Sequence, residues 1–238
     1  MSILITGYTS QIGKSTLRLY KEMGKSLILV GRSKHEGEEI LGPNNSTDNK
    51  HFFLDFLSKS FKNDLDKLIH DTTSFSQLET VIHLAAYPGR RSQLRNLSYE
   101  ELTELININF INSAWFLNQM CKCMSENGCT NNSFVFISSQ LAKYKGPNLS
   151  IYSACKAAMN NLCMTMANEY GKDGVRVNII SPGIVAKDTL EANNYKASLD
   201  IPLARLATPI DVAQAIVYIA SNKASYVNGA NLDVNGGR

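Results

Sequence analysis

The sequence predicts an α/β fold, with one doubly wound domain built on a central parallel sheet of about seven strands and helices on both faces. The first observation is that short β-rich runs alternate with helical patterns along the chain, which is typical of parallel sheets. The second is that the strand candidates are continuous apolar runs, as expected for strands covered on both faces. The third is the length of 238 residues, which suits a single domain over residues 1–238.

Apolar runs mark the predicted strands, which in chain order are residues 3–5, 27–30, 52–54, 80–84, 134–137, 175–180 and 231–234. Helical periodicity predicts helices over residues 12–23, 61–70, 100–124 (one helix or two in tandem), 151–170 and 210–220. Gly24 is placed to end the first helix, and Pro182 with Gly183 to end the sixth strand. The polar, turn-rich segment 33–50 is expected to be a loop, with a helix that is short or missing.

Composition and charge argue against several classes of protein. The net charge is +3, with Lys and Arg spread along the chain, so we expect no nucleic-acid partner. No apolar run is long enough to span a membrane, and the first residues lack the features of a signal peptide. Five cysteines argue against a disulfide framework, and they lack a partner set at zinc-finger spacing. We therefore expect a reduced, cytoplasmic protein without a metal ion or a membrane partner.

A candidate acid/base centre follows the fifth strand. Tyr152 and Lys156 lie four residues apart, so a helix places them on one face. Ser139 comes just after the strand, at the carboxyl edge of the sheet where ligands bind in such folds. A phenol has a pKa of about 10, which a nearby ammonium lowers. The three side chains can hold a substrate oxygen and move a proton. An ordinary amphipathic helix also carries such a pair by chance, so the surrounding motifs decide its weight.

The loop after the first strand, residues 6–15, allows two interpretations. Gly13-Lys14-Ser15 is similar to the end of a phosphate-binding P-loop, but that motif needs glycine at the position of Tyr8. The alternative is a dinucleotide loop, in which Gly7 permits the turn out of the strand and Gly13 lets helix and strand pack closely. The N–H groups at the start of the next helix then face a pyrophosphate. We favour the dinucleotide loop.

Together these motifs resemble the short-chain dehydrogenase/reductase family in its compact form, in particular the members that reduce 3-oxoacyl thioesters. The resemblance covers residues 3–237 and implies a Rossmann domain. The residues that match the family's loop, catalytic and sixth-strand motifs are Thr6, Gly7, Gly13, Asn109, Ser139, Tyr152, Lys156 and residues 175–183.

The resemblance implies a role for each matched position. Tyr152 is expected to donate or accept the proton, with Lys156 lowering its pKa and holding the nicotinamide ribose. Ser139 is expected to orient the substrate carbonyl. Asn109 is expected to hold a water that relays protons to Lys156, and to kink its helix. The residues expected to bind the cofactor are Gly7, Ser10, Gln11, Ile12, Gly13, Arg32, Ser33, Asp55, Phe56, Ala85, Ala86, Tyr152, Lys156, Pro182, Gly183 and Val185.

The end of the second strand bears on the choice between NAD and NADP. NAD-binding folds of this class place an acidic residue there for the ribose 2′-hydroxyl. This chain has Gly31 at that position, followed by Arg32 and Ser33. Arginine can pair with a 2′-phosphate through two hydrogen bonds. The sequence therefore favours NADP(H) over NAD(H), with a merely solvated Arg32 as the alternative.

Four features depart from the family pattern, and the simplest is Cys155, which stands at a usual serine position beside Lys156. Gln11 stands where the family has glycine, and its amide is expected either to bond a phosphate or to crowd the cofactor. The run His83-Leu84-Ala85-Ala86 replaces N-N-A-G and is similar to extended members that act on nucleotide sugars. Lys187 replaces a threonine that contacts the nicotinamide carboxamide, and it begins a short substrate lid expected over residues 187–200.

The resemblance implies an NADP(H)-dependent oxidoreductase that transfers a hydride between nicotinamide and a ketone or secondary alcohol, with Tyr152 as general acid/base. Two alternatives stay open: a nucleotide-sugar-modifying enzyme of the epimerase or dehydratase type, and a catalytically weak nucleotide-binding sensor. The expected partners are a small carbonyl or alcohol substrate and further copies of the chain, as a homodimer or homotetramer.

Overall fold

A seven-stranded sheet forms the centre of the molecule. A computed structural model describes residues 2–32, 34–41, 49–70, 77–144, 146–187 and 200–238. The strands are β1 (Ser2–Thr6), β2 (Ser26–Gly31), β3 (Lys50–Phe53), β4 (Leu78–His83), β5 (Asn132–Ile137), β6 (Val175–Pro182) and β7 (Asn231–Val234). Their order is β3-β2-β1-β4-β5-β6-β7, and every neighbouring pair is parallel. The predicted doubly wound α/β fold is confirmed.

Helices connect the strands and cover both faces of the sheet. They are α1 (Gln11–Glu22), α2 (Lys34–Leu41), α3 (Phe61–His70), α4 (Tyr99–Ile106), α5 (Asn112–Glu126), α6 (Ser150–Tyr170) and α7 (Pro209–Ala220). A π-helical turn over Asn107–Ile111 joins α4 to α5, so the tandem alternative for residues 100–124 holds. Among the described residues, no helix combines the length and apolar character needed to cross a membrane.

A two-turn helix, α2, lies in the segment where a loop with a short or missing helix was predicted. Gly37 disfavours a helix on propensity alone. However, a Cβ atom on Gly37 would lie 2.1 Å from Cδ2 of the His51 imidazole. Glycine is therefore what allows α2 to pack against β3, and the short-helix alternative is the one that holds. Residues 42–48 of the expected loop lie outside the described residues.

Two apolar layers, one on each face of the sheet, form the core. Along β1, Leu4 packs into one layer and Ile3 and Ile5 into the other, because successive strand side chains point to opposite faces. Helices α5 and α6 contribute to the first layer, and α1 and α7 contribute to the second. All six residues of β5 are buried, as the absence of polar alternation in its sequence predicted.

The strand order creates a crevice at the carboxyl edge of the sheet. β1 lies between β2 and β4, so the chain winds away from the β1–β4 pair in opposite directions. Open α/β sheets bind ligands at such a switch point. Most of the predicted site residues follow a strand at this edge, namely Gly7 and Ser10 after β1, Arg32 after β2, Asp55 and Phe56 after β3, Ala85 and Ala86 after β4, and Ser139 after β5.

Arg176 of β6 fastens the end of α7 to the sheet. Its side chain is buried, and Nη1 donates to the main-chain oxygens of Ile219 at 3.0 Å and Val227 at 3.3 Å. Nη2 donates to Ala220 O at 3.1 Å and Ser221 O at 3.3 Å. The last carbonyls of a helix lack partners within the helix. A single guanidinium therefore satisfies several acceptors that would otherwise be buried without a donor.

Arg176→Met should lower the free energy of unfolding by about 2–4 kcal/mol, because buried carbonyls lose charged hydrogen-bond donors while the apolar volume is largely kept. Urea denaturation measures the change. Arg18→Met is the matched control, since the Arg18 side chain is 79% exposed in its pair with Glu22. The control should lose less than about 1 kcal/mol. Equal losses in the two variants would contradict the role given to Arg176.

Candidate active site

A cavity of about 790 Å³ opens at the carboxyl edge of the sheet. It is lined by the segments that follow β1 to β4, together with the start of α2 and part of α4. The predicted cofactor-binding residues among its lining are Gly7, Ser10, Arg32, Asp55, Phe56, Ala85 and Ala86. The structure therefore brings together, around one cavity, residues that lie as far as 79 positions apart in the chain.

Close backbone contacts explain both glycines of the first loop. Gly7 has a φ of +65°, and a Cβ atom there would lie 2.7 Å from the main-chain nitrogen of Ala85. A Cβ atom on Gly13 would lie 2.5 Å from the main-chain oxygen of Gly7. Side chains at either position would push the loop away from β4 or α1 away from the loop. This packing fits the dinucleotide loop better than the P-loop.

The start of α1 is arranged as an anion site. Ser10 caps the helix: its Oγ accepts the N–H of Gly13 at 3.0 Å and donates to Gly7 O at 2.8 Å. Among the described residues, no hydrogen bond engages the N–H groups of Gln11 and Ile12, the first two of α1. Free N–H groups at a helix start attract phosphate. The Gln11 side chain is exposed, so it does not fill the space beside the glycine loop.

The part of the cavity next to β2 and β3 carries both signs of charge. Arg32 is exposed at the end of β2, and Glu36 on the first turn of α2 lines the same cavity. Asp55 Oδ1 accepts the N–H of Leu57 at 3.0 Å, and Phe56 is buried beneath. Ser33 lies outside the described residues. Glu36 was not among the predicted site residues, because its place in the cavity depends on how the short helix α2 packs.

Lys156 is buried at the end of β5. Its Nζ donates to the main-chain oxygen of Ile137 at 2.7 Å and lies 4.4 Å above the centre of the Phe136 ring. The Tyr152 ring centre is 5.6 Å from the same Nζ, so the predicted pairing on one helix face is observed. Burial disfavours the ammonium form and lowers the pKa of Lys156 to about 7.

The Tyr152 hydroxyl is more weakly acidic than expected. The sequence suggested that Lys156 lowers its pKa, but burial raises the pKa of Tyr152 to about 12. The expected direction is wrong in this structure, because burial disfavours the charged phenolate. Lys156 faces the Ile137 carbonyl, and near neutral pH it is itself only partly charged. Tyr152 is therefore a neutral phenol at physiological pH.

Ser139 and Asn109 hold backbone segments at the same edge. Ser139 begins a short 3₁₀ turn, and its Oγ accepts the N–H of Leu141 at 3.2 Å. Asn109 lies in the π-helical turn, which agrees with the kink expected there. Its Oδ1 accepts the N–H of Tyr87 at 3.0 Å, and its Nδ2 donates to Tyr87 O at 2.6 Å and Leu105 O at 2.9 Å. The Asn109 amide thus clamps the segment after β4 to α4.

The segment after β6 is pinned on two sides. Pro182 ends β6, and the N–H of Gly183 donates to Val234 O at 3.0 Å. Val185 forms an isolated parallel bridge with Ala207. These contacts fix the three predicted residues of this segment at the carboxyl end of β6, and none of the three is among the residues that line the cavity. Lys187 is exposed, and residues 188–199 of the expected lid lie outside the described residues.

A buried histidine connects the strands beneath the site. Ser113 Oγ donates to Ile108 O at 2.8 Å, so it accepts from His83 Nε2 at 3.1 Å. His83 Nδ1 must then be the acceptor for the Thr6 hydroxyl at 2.8 Å. The Thr6 oxygen in turn accepts the N–H of Ala85 at 3.1 Å. One donor matches one acceptor at every step, so His83 carries its proton on Nε2.

In the sequence, His83 stands out only as part of the run that departs from N-N-A-G. Its role as a hydrogen-bonding bridge between strands was not predicted. Burial, and secondarily the charge of Lys156, lower its pKa to about 3. The ring packs among Phe56, Phe116 and Phe136. Its position directly at the end of a buried strand was the available signal.

No cluster of three or more potential metal ligands occurs in the described part of the chain.

The fold and the site together define a dinucleotide-binding α/β protein with a Ser/Tyr/Lys set at the sheet edge. The family model described as enoyl-(acyl carrier protein) reductase matches residues 7–238. The chain therefore belongs to the short-chain dehydrogenase/reductase family, which is a family of oxidoreductases, as the sequence motifs suggested.

Characterised relatives cover almost the whole chain. The 3-oxoacyl-(acyl-carrier-protein) reductase FabG of Rickettsia prowazekii is 30% identical over 98% of this chain and 95% of its own length. The 2,5-dichloro-2,5-cyclohexadiene-1,4-diol dehydrogenase of Sphingobium indicum is 28% identical over 99% and 96%. The crystal structure of a short chain dehydrogenase from Bacillus anthracis superposes with a TM-score of 0.85 at 25% identity, covering 99% of this chain and 95% of its own.

His83 should stay neutral and carry its proton on Nε2 throughout pH 5–8, because its pKa is lowered to about 3. Nitrogen and carbon NMR shifts of the labelled imidazole report both the charge and the tautomer, and His83→Gln assigns the signal by removing it. A His83 signal that titrates near the ordinary value of about 6.5, or one that shows an Nδ1 proton, would contradict the hydrogen-bond chain.

Proposed function

We propose that the protein is an NADP(H)-dependent oxidoreductase that interconverts a ketone and a secondary alcohol, with Tyr152 as general acid/base. The observation that carries this proposal is the buried Lys156 beside Tyr152 at the end of β5, where Ser139 follows. The cavity at the neighbouring strands fits the cofactor, since the glycine contacts leave the loop backbone open to it. Cofactor, carbonyl and proton donor then meet at one sheet edge.

The residues divide the work of reduction. A bound nicotinamide supplies a hydride to the carbonyl carbon. In its hydrogen bond with the N–H of Leu141, Ser139 Oγ is the acceptor. Among the described residues its hydroxyl proton is therefore available for the carbonyl oxygen. The Tyr152 phenol, neutral because its pKa is about 12, donates the proton that completes the alcohol. In the direction of oxidation the same groups work in reverse.

Lys156 serves as the proton reservoir for Tyr152. A pKa of about 7 lets it change charge near neutral pH, so its ammonium can restore the phenol after each reduction. We also propose that its ammonium bonds the nicotinamide ribose, as the family resemblance implies. Asn109 contributes by fixing the backbone around the crevice, because its amide is engaged with Tyr87 and Leu105. Because the Asn109 side-chain amide is engaged, a relay water at this position would have to bond the main chain of the π-helical turn.

Two opposed charges bear on cofactor choice. Arg32 supports NADP(H), because a guanidinium at the end of β2 pairs well with a 2′-phosphate. Glu36 lines the same cavity, and a carboxylate favours a ribose hydroxyl over a phosphate. We favour NADP(H) because the position that carries an acidic residue in NAD-binding folds of this class is occupied by Gly31. The preference for NADP(H) should therefore be moderate.

The substrate class follows from the relatives. A 3-oxoacyl thioester is the first candidate because of the similarity to FabG, and cyclic alcohols are the second because of the dichlorocyclohexadienediol dehydrogenase. The nucleotide-sugar alternative rests on the run from His83 to Ala86, and we favour it less because the two relatives described above are named for other substrates. We also propose a cytoplasmic homodimer or homotetramer.

Tyr152→Phe should lower kcat for ketone reduction at least about 100-fold, because the proton donor is lost. The dissociation constant for NADPH should change less than about threefold, since the ring is kept. Tyr99→Phe, at a 79% exposed position, is the matched control and should leave both values unchanged. A nucleotide-binding sensor would instead bind NADPH but show no ketone reduction even as the wild-type protein.

Arg32→Ala should weaken NADPH binding about 10–100-fold by removing charged hydrogen bonds, and leave NADH binding nearly unchanged. Glu36→Gln should strengthen NADPH binding about threefold, because a repulsion with the 2′-phosphate is removed. Titrations that follow energy transfer from the protein's tryptophan to the nicotinamide give both dissociation constants. An equal loss of NADPH and NADH affinity in Arg32→Ala would contradict the 2′-phosphate assignment.

A further inference from the structure

Tyr8 fills the space next to the end of β2. It follows Gly7 in the first loop and is only 1% exposed. A Cβ atom on Gly31 would lie 2.8 Å from Cε1 of the Tyr8 ring and 3.3 Å from its hydroxyl oxygen. Non-bonded carbon atoms do not approach so closely, so any side chain at position 31 requires the Tyr8 ring or the β2 backbone to move.

Neither partner is free to move. The Tyr8 hydroxyl and His51 Nε2 form a hydrogen bond of 2.9 Å, and the two rings meet edge to face with centroids 5.8 Å apart. Behind His51, its imidazole presses against Gly37 of α2, where a Cβ atom would lie 2.1 Å away. On the other side, Gly31 O accepts the N–H of Leu54 at 3.0 Å, which ties the end of β2 to the segment after β3.

The phenol also disfavours negative charge in this place. Burial, and secondarily the negative charge of Glu36, raise the pKa of Tyr8 to about 12, so the ring is neutral. A carboxylate added at position 31 would therefore be placed against a buried phenol ring and in the field of Glu36. Position 31 is where NAD-binding folds of this class hold the ribose 2′-hydroxyl with an acidic side chain.

We propose that Tyr8 is a specificity-determining residue for the cofactor, because its ring occupies the volume that an acidic side chain at position 31 would need. Tyr8 thereby commits the chain to recognising the adenosine ribose through Arg32. Each of the two rings requires a glycine next to it. The Tyr8 ring in the loop requires Gly31 of β2, and the His51 ring of β3 requires Gly37 of α2. This inference rests on the proposed nicotinamide cofactor.

The test compares wild type with Gly31→Asp, Tyr8→Leu and the double variant, using NADH and NADPH titrations. Gly31→Asp alone should weaken binding of both nucleotides, since the loop is displaced. The double variant should lower the ratio of the NADH to the NADPH dissociation constant at least about tenfold relative to Tyr8→Leu alone, because the new carboxylate can then reach the 2′-hydroxyl. A shift of the same size from Gly31→Asp alone, or no shift in the double variant, would overturn the proposal.

Gly31→Ala tests the steric claim without charge and without nucleotide. In wild type it should lower the melting temperature by about 3–10 °C through overpacking, whereas in the Tyr8→Leu background it should change little. Equal losses of melting temperature in the wild-type and Tyr8→Leu backgrounds would overturn the proposal. This outcome does not depend on whether the Gly31→Asp/Tyr8→Leu variant folds. If wild type bound neither nucleotide, the proposed function would fall, while the Gly31→Ala comparison would still decide whether Tyr8 excludes a side chain at position 31.

Discussion

The hydrogen bond from Lys156 to the main-chain oxygen of Ile137 determines the geometry of the whole candidate site. It ties α6 to the end of β5, so Tyr152, one helical turn earlier, lies beside this strand end, with its ring centre 5.6 Å from Lys156 Nζ. Burial of an amine is unfavourable, which is why the pKa of Lys156 is lowered to about 7. The Phe136 ring and one carbonyl offset part of that cost. A structural role alone would be filled better by an apolar side chain, so the retained amine points to chemistry.

Around this anchor, the sheet edge is assembled by close backbone contacts and by neutral hydrogen-bond chains. Gly7 and Gly13 let the first loop, β4 and α1 approach one another, and His83 joins β1, β4 and α5 from below. Because His83 is uncharged, it adds no positive charge that would repel the Lys156 ammonium. The site is thus rigid where the nucleotide is expected and polar only where donors are needed.

The sequence predicted the sheet, its parallel character and most helix positions because these depend on local periodicity. Its motifs also placed Ser139, Tyr152 and Lys156 together, since each follows or lies beside one strand end. Contacts between distant segments were not predictable. The helix α2 depends on His51 packing against Gly37, and the raised pKa of Tyr152 depends on the degree of burial. Likewise, local sequence patterns do not predict the hydrogen bond between Tyr8 and His51 or the position of the Glu36 carboxylate in the cavity.

The most direct test of the account is a deuterium-transfer assay with NADPH labelled at nicotinamide C4. The protein would be incubated with a panel of 3-oxoacyl thioesters and cyclic ketones, and the products analysed by mass spectrometry. The account predicts deuterium on the new carbinol carbon with wild type, and at most a trace with Tyr152→Phe. Saturable NADPH binding without label in any product, or equal labelling by Tyr152→Phe, would contradict it.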